Sequence, residues 1–392
     1  MSLLFYDDSP VFGGHEVMSL LGLEAVLADS PAPVYFLASA ANDKLCEKVS
    51  ALATLYPQLT LERLDYHSSK LEALRNRLRP SRIRTLAGRF RQLGPSLVVA
   101  IQGNIEHSSL ALHAARLGGI PSTSYIPVPH SNAEMGAKLG ALRDCFSTSL
   151  FKLPDSFITI TESMASLLTR RGATAPIHIV YNGVDTARFR TSDKLASRNN
   201  LGLPVDKILV GTIGRIEFRQ KQQHLLAQAI AAEPSLSKSC HLVFAGEGPD
   251  SEALQAMIQD LKLSGTVLPW SDSAILYPAL DALVIPSRYE GLPLVMLEAI
   301  SCGTAVLGSD RDGMKDLLPP AWRFEPDNSS ALSSALVDFI AQGKPRPEAV
   351  LMAKVRDSMS LESFKISFSF TIQALLRDPF SPLPNTPGKL NI

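Results

Sequence analysis

Short apolar runs along the chain alternate with longer amphipathic stretches. The runs that read as strands are Leu3–Asp8, Ala32–Ser39, Ser96–Gly103, Ser156–Thr161, Lys207–Gly214, His241–Gly248, Ala282–Ser287 and Thr304–Asp310. Several are continuously apolar and rich in Val and Ile, as strands covered on both faces should be. Between them Glu16–Leu27, Ser109–Leu117, Glu162–Arg171, His224–Glu233 and Glu252–Leu261 read as helices. Strand followed by helix, repeated, predicts a parallel α/β sheet.

The alternation occurs twice. One series ends near Tyr181, a polar connection covers residues 182–207, and a second series starts at Lys207. This predicts two Rossmann-like, doubly wound domains facing across a cleft. The expected bounds are 1–185 for an N-terminal domain and 186–358 for a C-terminal domain. A final helix at 359–378 is expected to pack back on the first domain, and 379–392, with four prolines from Pro379 onwards, reads as a loose tail. In such domains ligands bind at the carboxyl ends of the strands.

Composition narrows the class. The chain has 392 residues, 45% of them hydrophobic, enough to bury large cores without a disulfide or metal staple. Lys+Arg and Asp+Glu both number 38, a zero balance that argues against a nucleic-acid binder. Cys46, Cys145, Cys240 and Cys302 form no CxxC and suit a reducing compartment. The opening MSLLFYDDSP lacks the basic start and apolar core of a secretory leader. No apolar stretch approaches the ~20 residues of a membrane span, so a cytoplasmic location is expected.

The densest chemical signal is PSRYEGLPLVMLEAISCGTAVLGSD, Pro286–Asp310. A strand ends at Ser287, Glu290 and Gly291 form a turn, and Pro293 suits the first turn of a helix. Free N–H groups at that helix start favour a phosphate. Glu298 lies eight residues after Glu290, inside an apolar helix. It is either a solvated surface carboxylate or a site residue, and the apolar neighbours favour the site. Arg215 follows a strand of the second series and Lys221 is close behind. Two fixed cations there can hold the negative charge of a phosphate; the plain reading is an exposed Arg and Lys in a loop, with Arg219 a nearby cation of the same loop. Gly13-Gly14 follows the first strand, where backbone can approach a ligand closely, although an ordinary tight turn fits equally. Asn104, Glu106 and His107 follow another strand and are further candidates to line a ligand. No G-x-G-x-x-G supports a nicotinamide cofactor. The D-x-D of Asp310 and Asp312 reads as loop chemistry, and no cluster with metal-ligand spacing occurs elsewhere, so no metal or cofactor is expected.

These segments together resemble one family. E-G-L-P-L-V-M-L-E resembles the E-x7-E signature of retaining, nucleotide-sugar-dependent glycosyltransferases of family 4, which have the GT-B fold. Gly13-Gly14 resembles the family's glycine loop, Tyr181–Phe189 its N-G-V-D segment, and Gly211–Lys221 its G-R…K phosphate clamp. His241–Asp250 and Asp281–Ser287 also match in order and spacing. The fit is looser over residues 40–150, where such enzymes meet their acceptors. The resemblance implies that Glu290 reaches the donor sugar and Glu298 the ribose hydroxyls. It further implies that Gly13, Gly14, Gly291, Leu292, Leu294 and Val295 line the donor, and that Arg215 and Lys221 clamp its diphosphate. A histidine beside the reacting sugar would be His130, which otherwise reads as a solvated loop residue.

The expected function is therefore retaining, metal-independent hexosyl transfer from a nucleoside-diphosphate sugar to a glycan or lipid-linked acceptor. Relatives of this kind build cell-surface polysaccharide or lipopolysaccharide. A sugar-nucleotide epimerase or hydrolase of the same fold, or a non-catalytic nucleotide-sugar-binding subunit, are the alternatives. One further segment stands out. Arg75–Arg91 holds seven arginines, with no acidic residue between Glu72 and Glu106. Leu78, Ile83, Leu86 and Phe90 are interleaved, and Pro80 breaks any single long helix. It reads either as a solvated helix face or as a site that docks reversibly on an anionic membrane surface.

Overall fold

The computed structural model describes residues 1–380. Residues 381–392, most of the expected tail, lie outside the described residues. The chain divides into two compact units. One is Met1–Asn182 together with the segment from Glu362 onward, and the other is Gly183–Leu361. The sequence had set its bounds at 185 and 358. The two crossings are hydrogen-bonded together. Val184 N–H donates to the Met359 carbonyl at 2.8 Å, and Leu361 N–H donates to the Val184 carbonyl at 2.9 Å.

The first unit contains strands β1 (Leu3–Asp7), β2 (Val34–Ser39), β3 (Leu59–Leu64), β4 (Leu97–Ile101), β5 (Ser122–Tyr125), β6 (Ser156–Thr159) and β7 (Ile177–Ile179). Their order is β3-β2-β1-β4-β5-β6-β7, and every pairing is parallel. Beta1 and β4 are buried at every position, which is why both read as continuous apolar runs. The helix Leu361–Arg377 packs in this unit. Its Phe368 ring meets Tyr125 edge-on with centroids 5.7 Å apart, and its Lys365 pairs with Glu24 at 2.6 Å.

The second unit contains β8 (Ile208–Ile213), β9 (Cys240–Ala245), β10 (Gly265–Leu268), β11 (Ala282–Ile285), β12 (Ala305–Ser309) and β13 (Arg323–Phe324). The order is β10-β9-β8-β11-β12-β13, again wholly parallel. Each sheet thus grows outward in both directions from its first strand. The order reverses between β1 and β4 in one unit and between β8 and β11 in the other. Loops leaving the carboxyl ends of two such neighbours run to opposite faces of the sheet and leave a crevice between them.

Candidate active site

In the second unit the crevice loops are residues 214–222, after β8, and 286–293, after β11. Backbone contacts lock them together: Arg288 N–H donates to the Gln220 carbonyl at 2.8 Å, and the Gln220 amide donates to the Tyr289 carbonyl at 3.3 Å. The loop after β9 supports them from the other side. Ile216 N–H donates to the Glu247 carbonyl at 3.1 Å, and Phe218 N–H donates to the Asp250 carboxylate at 2.7 Å. A Cβ on Gly248 would lie 2.0 Å from the Ile216 carbonyl oxygen, so only glycine allows this approach. The G-E-G-P-D segment therefore shapes the loop that carries Arg215.

Within this frame Lys221 Nζ lies 2.5 Å from Glu290 Oε1, and the carboxylate side chain is only 9% exposed. Arg215 is largely exposed and reaches Glu217 at 3.5 Å; Arg219 reaches the other oxygen of Glu217 at 3.6 Å. Burial raises the pKa of the Tyr289 hydroxyl, which also feels Arg219, Glu217, Glu290 and Arg215, so these charges gather around one ring. Glu217, absent from the sequence reading, holds both arginines of this loop. Its signal was a carboxylate two residues from each of them.

Asp310 and Asp312 do not act as a pair. Asp310 bonds Arg323 at 2.7 Å, whereas Asp312 accepts the Glu290 N–H at 2.9 Å and contacts Arg311 at 3.3 Å. Asp312 thus positions the Glu290 backbone. The Gly291 carbonyl accepts the Gly313 N–H at 2.9 Å, and Leu292 is buried. The helix starts one residue later than expected. It spans Leu294–Ser301, with Pro293 preceding it as the cap and its carbonyl accepting the Met296 N–H. Proline's fixed φ fits either place, but its ψ of 123° here is extended. Leu294 and Val295, both half-buried, form the first turn.

No hydrogen bond or ion pair described here joins Glu298 to Glu290. Instead Glu298 accepts the Tyr277 hydroxyl at 2.5 Å. Burial raises the Glu298 pKa, opposed by that hydroxyl and by Arg188. Arg188 in turn pairs with Asp272 at 2.9 Å. The segment Tyr181–Phe189 therefore brings a guanidinium into the surroundings of Glu298, a role the sequence did not reveal.

The first unit presents a different crevice. Gly13 caps the helix Gly14–Asp29, and its N–H donates to Glu16 Oε2 at 2.7 Å. Gly13 has an extended φ of −142°, so no left-handed turn is required, and a Cβ on Gly14 would meet nothing within 4 Å. Asp7 and Asp8, at the end of β1, are fully buried, and burial pushes each carboxyl up to about 7. His15 Nε2 lies 3.0 Å from Glu16 Oε1. Burial opposes charge on both, but their mutual attraction outweighs it and raises His15 while lowering Glu16. Glu106 pairs through Oε2 with Arg143, whose Nε donates at 2.8 Å, while its Oε1 makes no hydrogen bond. Asn104 accepts the N–H groups of Glu106 and His107. Burial drops the His107 pKa to about 4. His130 is 2% exposed, not solvated.

The comparisons agree with this architecture. Residues 24–188 match the model of Glycosyltransferase Family 4, and residues 193–350 match that of Glycosyl transferases group 1. The D-inositol 3-phosphate glycosyltransferase of Segniliparus rotundus is 31% identical over 170 residues, 41% of this chain and 38% of that protein. The enzyme of the same name from Mycobacterium tuberculosis is 34% identical over 173 residues, 41% of this chain and 35% of that protein. The chain thus spans little more than a third of the length of these curated relatives. Among solved structures, Anabaena HepE in complex with UDP and glucose superposes with a TM-score of 0.72 at 18% identity, covering 96% of this chain and all of that one. Sucrose-phosphate synthase from Thermosynechococcus elongatus gives 0.73 at 18% identity, covering 97% and 99%. The lipopolysaccharide outer core galactosyltransferase WaaB gives 0.69 at 19% identity, covering 95% and 99%. A family 4 domain followed by a group 1 domain, each wound on its own parallel sheet, places this chain in the glycosyltransferases of family 4 with the GT-B fold.

Proposed function

We propose that the chain is a retaining glycosyltransferase that moves a hexosyl group from a nucleoside-diphosphate sugar to a glycan or lipid-linked acceptor. The observation that carries this reading is the Lys221–Glu290 pair at the β8/β11 crevice, with the Arg215 guanidinium exposed on the same loop. Structural neighbours crystallised with UDP and with UDP-glucose support a nucleotide-sugar donor.

The chemistry follows from the groups present. Breaking the bond between the anomeric carbon and the diphosphate leaves negative charge on a phosphate oxygen. Arg215 and Lys221 are fixed cations that stabilise that charge most as it develops. Glu290, held by Lys221 and through its backbone by Asp312, accepts hydroxyl hydrogen bonds from the donor sugar. Glu298 accepts those of the ribose. The departing phosphate oxygen takes the acceptor hydroxyl proton while the acceptor oxygen bonds the anomeric carbon from the same face. Configuration is retained and no strong protein base is needed. The first unit holds the acceptor. Because Arg215 and Lys221 supply the positive charge, added Mg²⁺ or Mn²⁺ leaves the rate unchanged. The setting is cell-surface polysaccharide or lipopolysaccharide assembly, in the cytoplasm or on the inner face of the membrane.

The test is purified protein with a panel of nucleotide-sugars, with and without glycan or lipid-linked acceptors. The expected result is acceptor-dependent release of nucleoside diphosphate, with the α-anomeric donor configuration kept in the product. An isomerised nucleotide-sugar would indicate an epimerase, and binding without turnover a non-catalytic subunit.

A further inference from the structure

The β1/β4 crevice of the first unit holds charges that the proposed transfer does not use. Asp7 ends β1, and its side chain is wholly buried. One carboxylate oxygen, Oδ1, accepts the Ser9 N–H at 2.9 Å, while Oδ2 has no hydrogen-bond partner. Glu16, equally buried, spends Oε2 on the Gly13 N–H and leaves Oε1 without a hydrogen bond. That oxygen is paired with His15 Nε2 at 3.0 Å. One donor atom from each of Asp7, His15 and Glu16 lies within 4.8 Å of the other two.

Two features argue that this convergence is built. A Cβ on Gly103, just after β4, would lie 2.6 Å from the His15 ring, so glycine there leaves room for the imidazole. His107, in the same loop, presents a further buried nitrogen, Nδ1, that lacks a hydrogen-bond partner. Two buried carboxylates beside one imidazole carry a net negative charge even when the imidazole is protonated. Desolvated like charges at this range are costly unless a cation or a proton neutralises them.

We propose that Asp7, His15 and Glu16 form a binding site for one divalent transition-metal ion of the zinc class. An imidazole nitrogen with two carboxylate oxygens suits zinc, and three protein ligands leave a fourth position for water. The unpartnered Asp7 Oδ2 joins the paired His15 Nε2 and Glu16 Oε1 as ligands, and the divalent charge balances the two carboxylates. Gly13 N–H and Ser9 N–H hold the second oxygen of each carboxylate and so aim the first. Zinc ties the end of β1 to the start of the helix Gly14–Asp29.

Isothermal titration calorimetry of the full chain with ZnCl₂, after stripping with chelator, tests the site. One saturable site per chain is expected, with affinity reduced at least tenfold in Asp7→Asn and in His15→Ala. Asp7→Asn keeps the oxygen that accepts the Ser9 N–H, and His15→Ala leaves the Gly13–Glu16 cap intact, so both variants should fold. Gly103→Ala, which removes no ligand but displaces the ring, should also weaken binding. The absence of saturable binding would overturn the proposal, as would equal affinity in the wild type and His15→Ala.

Discussion

At the scale of single residues, the candidate donor site is a set of charges held by neighbours rather than by bulk burial. Glu290 receives Lys221 on its side chain and Asp312 on its N–H. Losing Lys221 or Arg215 as alanine should lower kcat by roughly 10²–10³, the scale for one preorganised charge stabiliser. Wild-type turnover in either variant would remove that residue from the mechanism. The two aspartates should separate cleanly. Asp310→Ala should keep most activity, because its partner is Arg323. Asp312→Ala should cost about tenfold in kcat, since a hydrogen bond to a charged group contributes ~1.5–3 kcal/mol. Asp312 also sits at a φ of 53°, which alanine tolerates poorly. Asp312→Asn keeps an acceptor and should recover most of the loss. Equal activity in Asp310→Ala and Asp312→Ala would refute the positioning role.

At the scale of elements, pattern reading found the strands that are apolar throughout and missed those that are not. Beta5 is Ser-Thr-Ser-Tyr, fully buried, and is satisfied instead by hydroxyls: Thr123 donates to the Ser156 carbonyl at 3.2 Å, and Ser124 pairs with Gln102. No hydropathy pattern marks such a strand. Beta3 and β7 are edge strands only partly covered, and β13 has two residues. The charged loops were legible because strand ends punctuate the sequence at Gly214 and Ser287. The Asp7–His15–Glu16 convergence was not, because it depends on the chain turning back after β1. Beta7 yields a pH prediction. Burial holds the His178 pKa at about 4, below the ordinary 6.5. The native state therefore keeps the ring neutral while the unfolded chain binds a proton. The contribution of this ring is full above pH 6.5 and falls as pH drops toward 4, by at most ~1.4 kcal/mol per pH unit. Comparing urea melts at pH 7 and pH 5 in wild type and His178→Gln isolates this share: the stability change on acidification should be less unfavourable in the variant, whatever the other buried groups, among them His107, Asp7 and Asp8, add to both. An unchanged pH dependence in that variant would place the acid sensitivity elsewhere.

The arginine-rich segment also resolves at this scale. It forms two helices, Glu72–Leu78 and Pro80–Leu93, with Pro80 at the start of the second. Leu86 and Phe90 face the core. Three arginines are engaged within the unit. Arg89 bonds Glu62 through two nitrogens, Arg82 stacks 3.5 Å over the Tyr66 ring near Glu72, and Arg77 bonds Ser149 at 2.8 Å. Arg75, Arg79, Arg84 and Arg91 remain exposed, beside an exposed Leu78. If this face docks on anionic membrane, as we propose, vesicles rich in anionic lipid should co-sediment the protein at low salt and release it at high salt. Changing those four exposed arginines to Gln should abolish binding, whereas Arg89→Gln should chiefly affect stability. Failure to co-sediment at low salt would leave the face as a solvated surface. No helix among the described residues is long and apolar enough to cross a membrane.

At the scale of the whole molecule, the chain leaves its first unit at Asn182 and re-enters it at Glu362. The first unit is therefore completed only by the last helix, which buries Phe364, Phe368, Ile372 and Leu375. Phe368 is the tightest of these contacts. A Cβ on Gly22 would come within 2.7 Å of its ring, so the helix Gly14–Asp29 uses glycine to receive it. Phe368→Ala should cost ~3–5 kcal/mol, the range for emptying a buried aromatic site. The loss should fall on the first unit. Nucleoside diphosphate, bound by the second unit in our proposal, should stabilise that unit by ~2.7 kcal/mol at a hundredfold excess over Kd. Differential scanning calorimetry can separate the two effects. In Phe368→Ala one transition should move down, and in the presence of nucleotide the other should move up. A single transition that responds to both in proportion would mean that the two units unfold as one, and that the discontinuous first unit borrows its stability from the second.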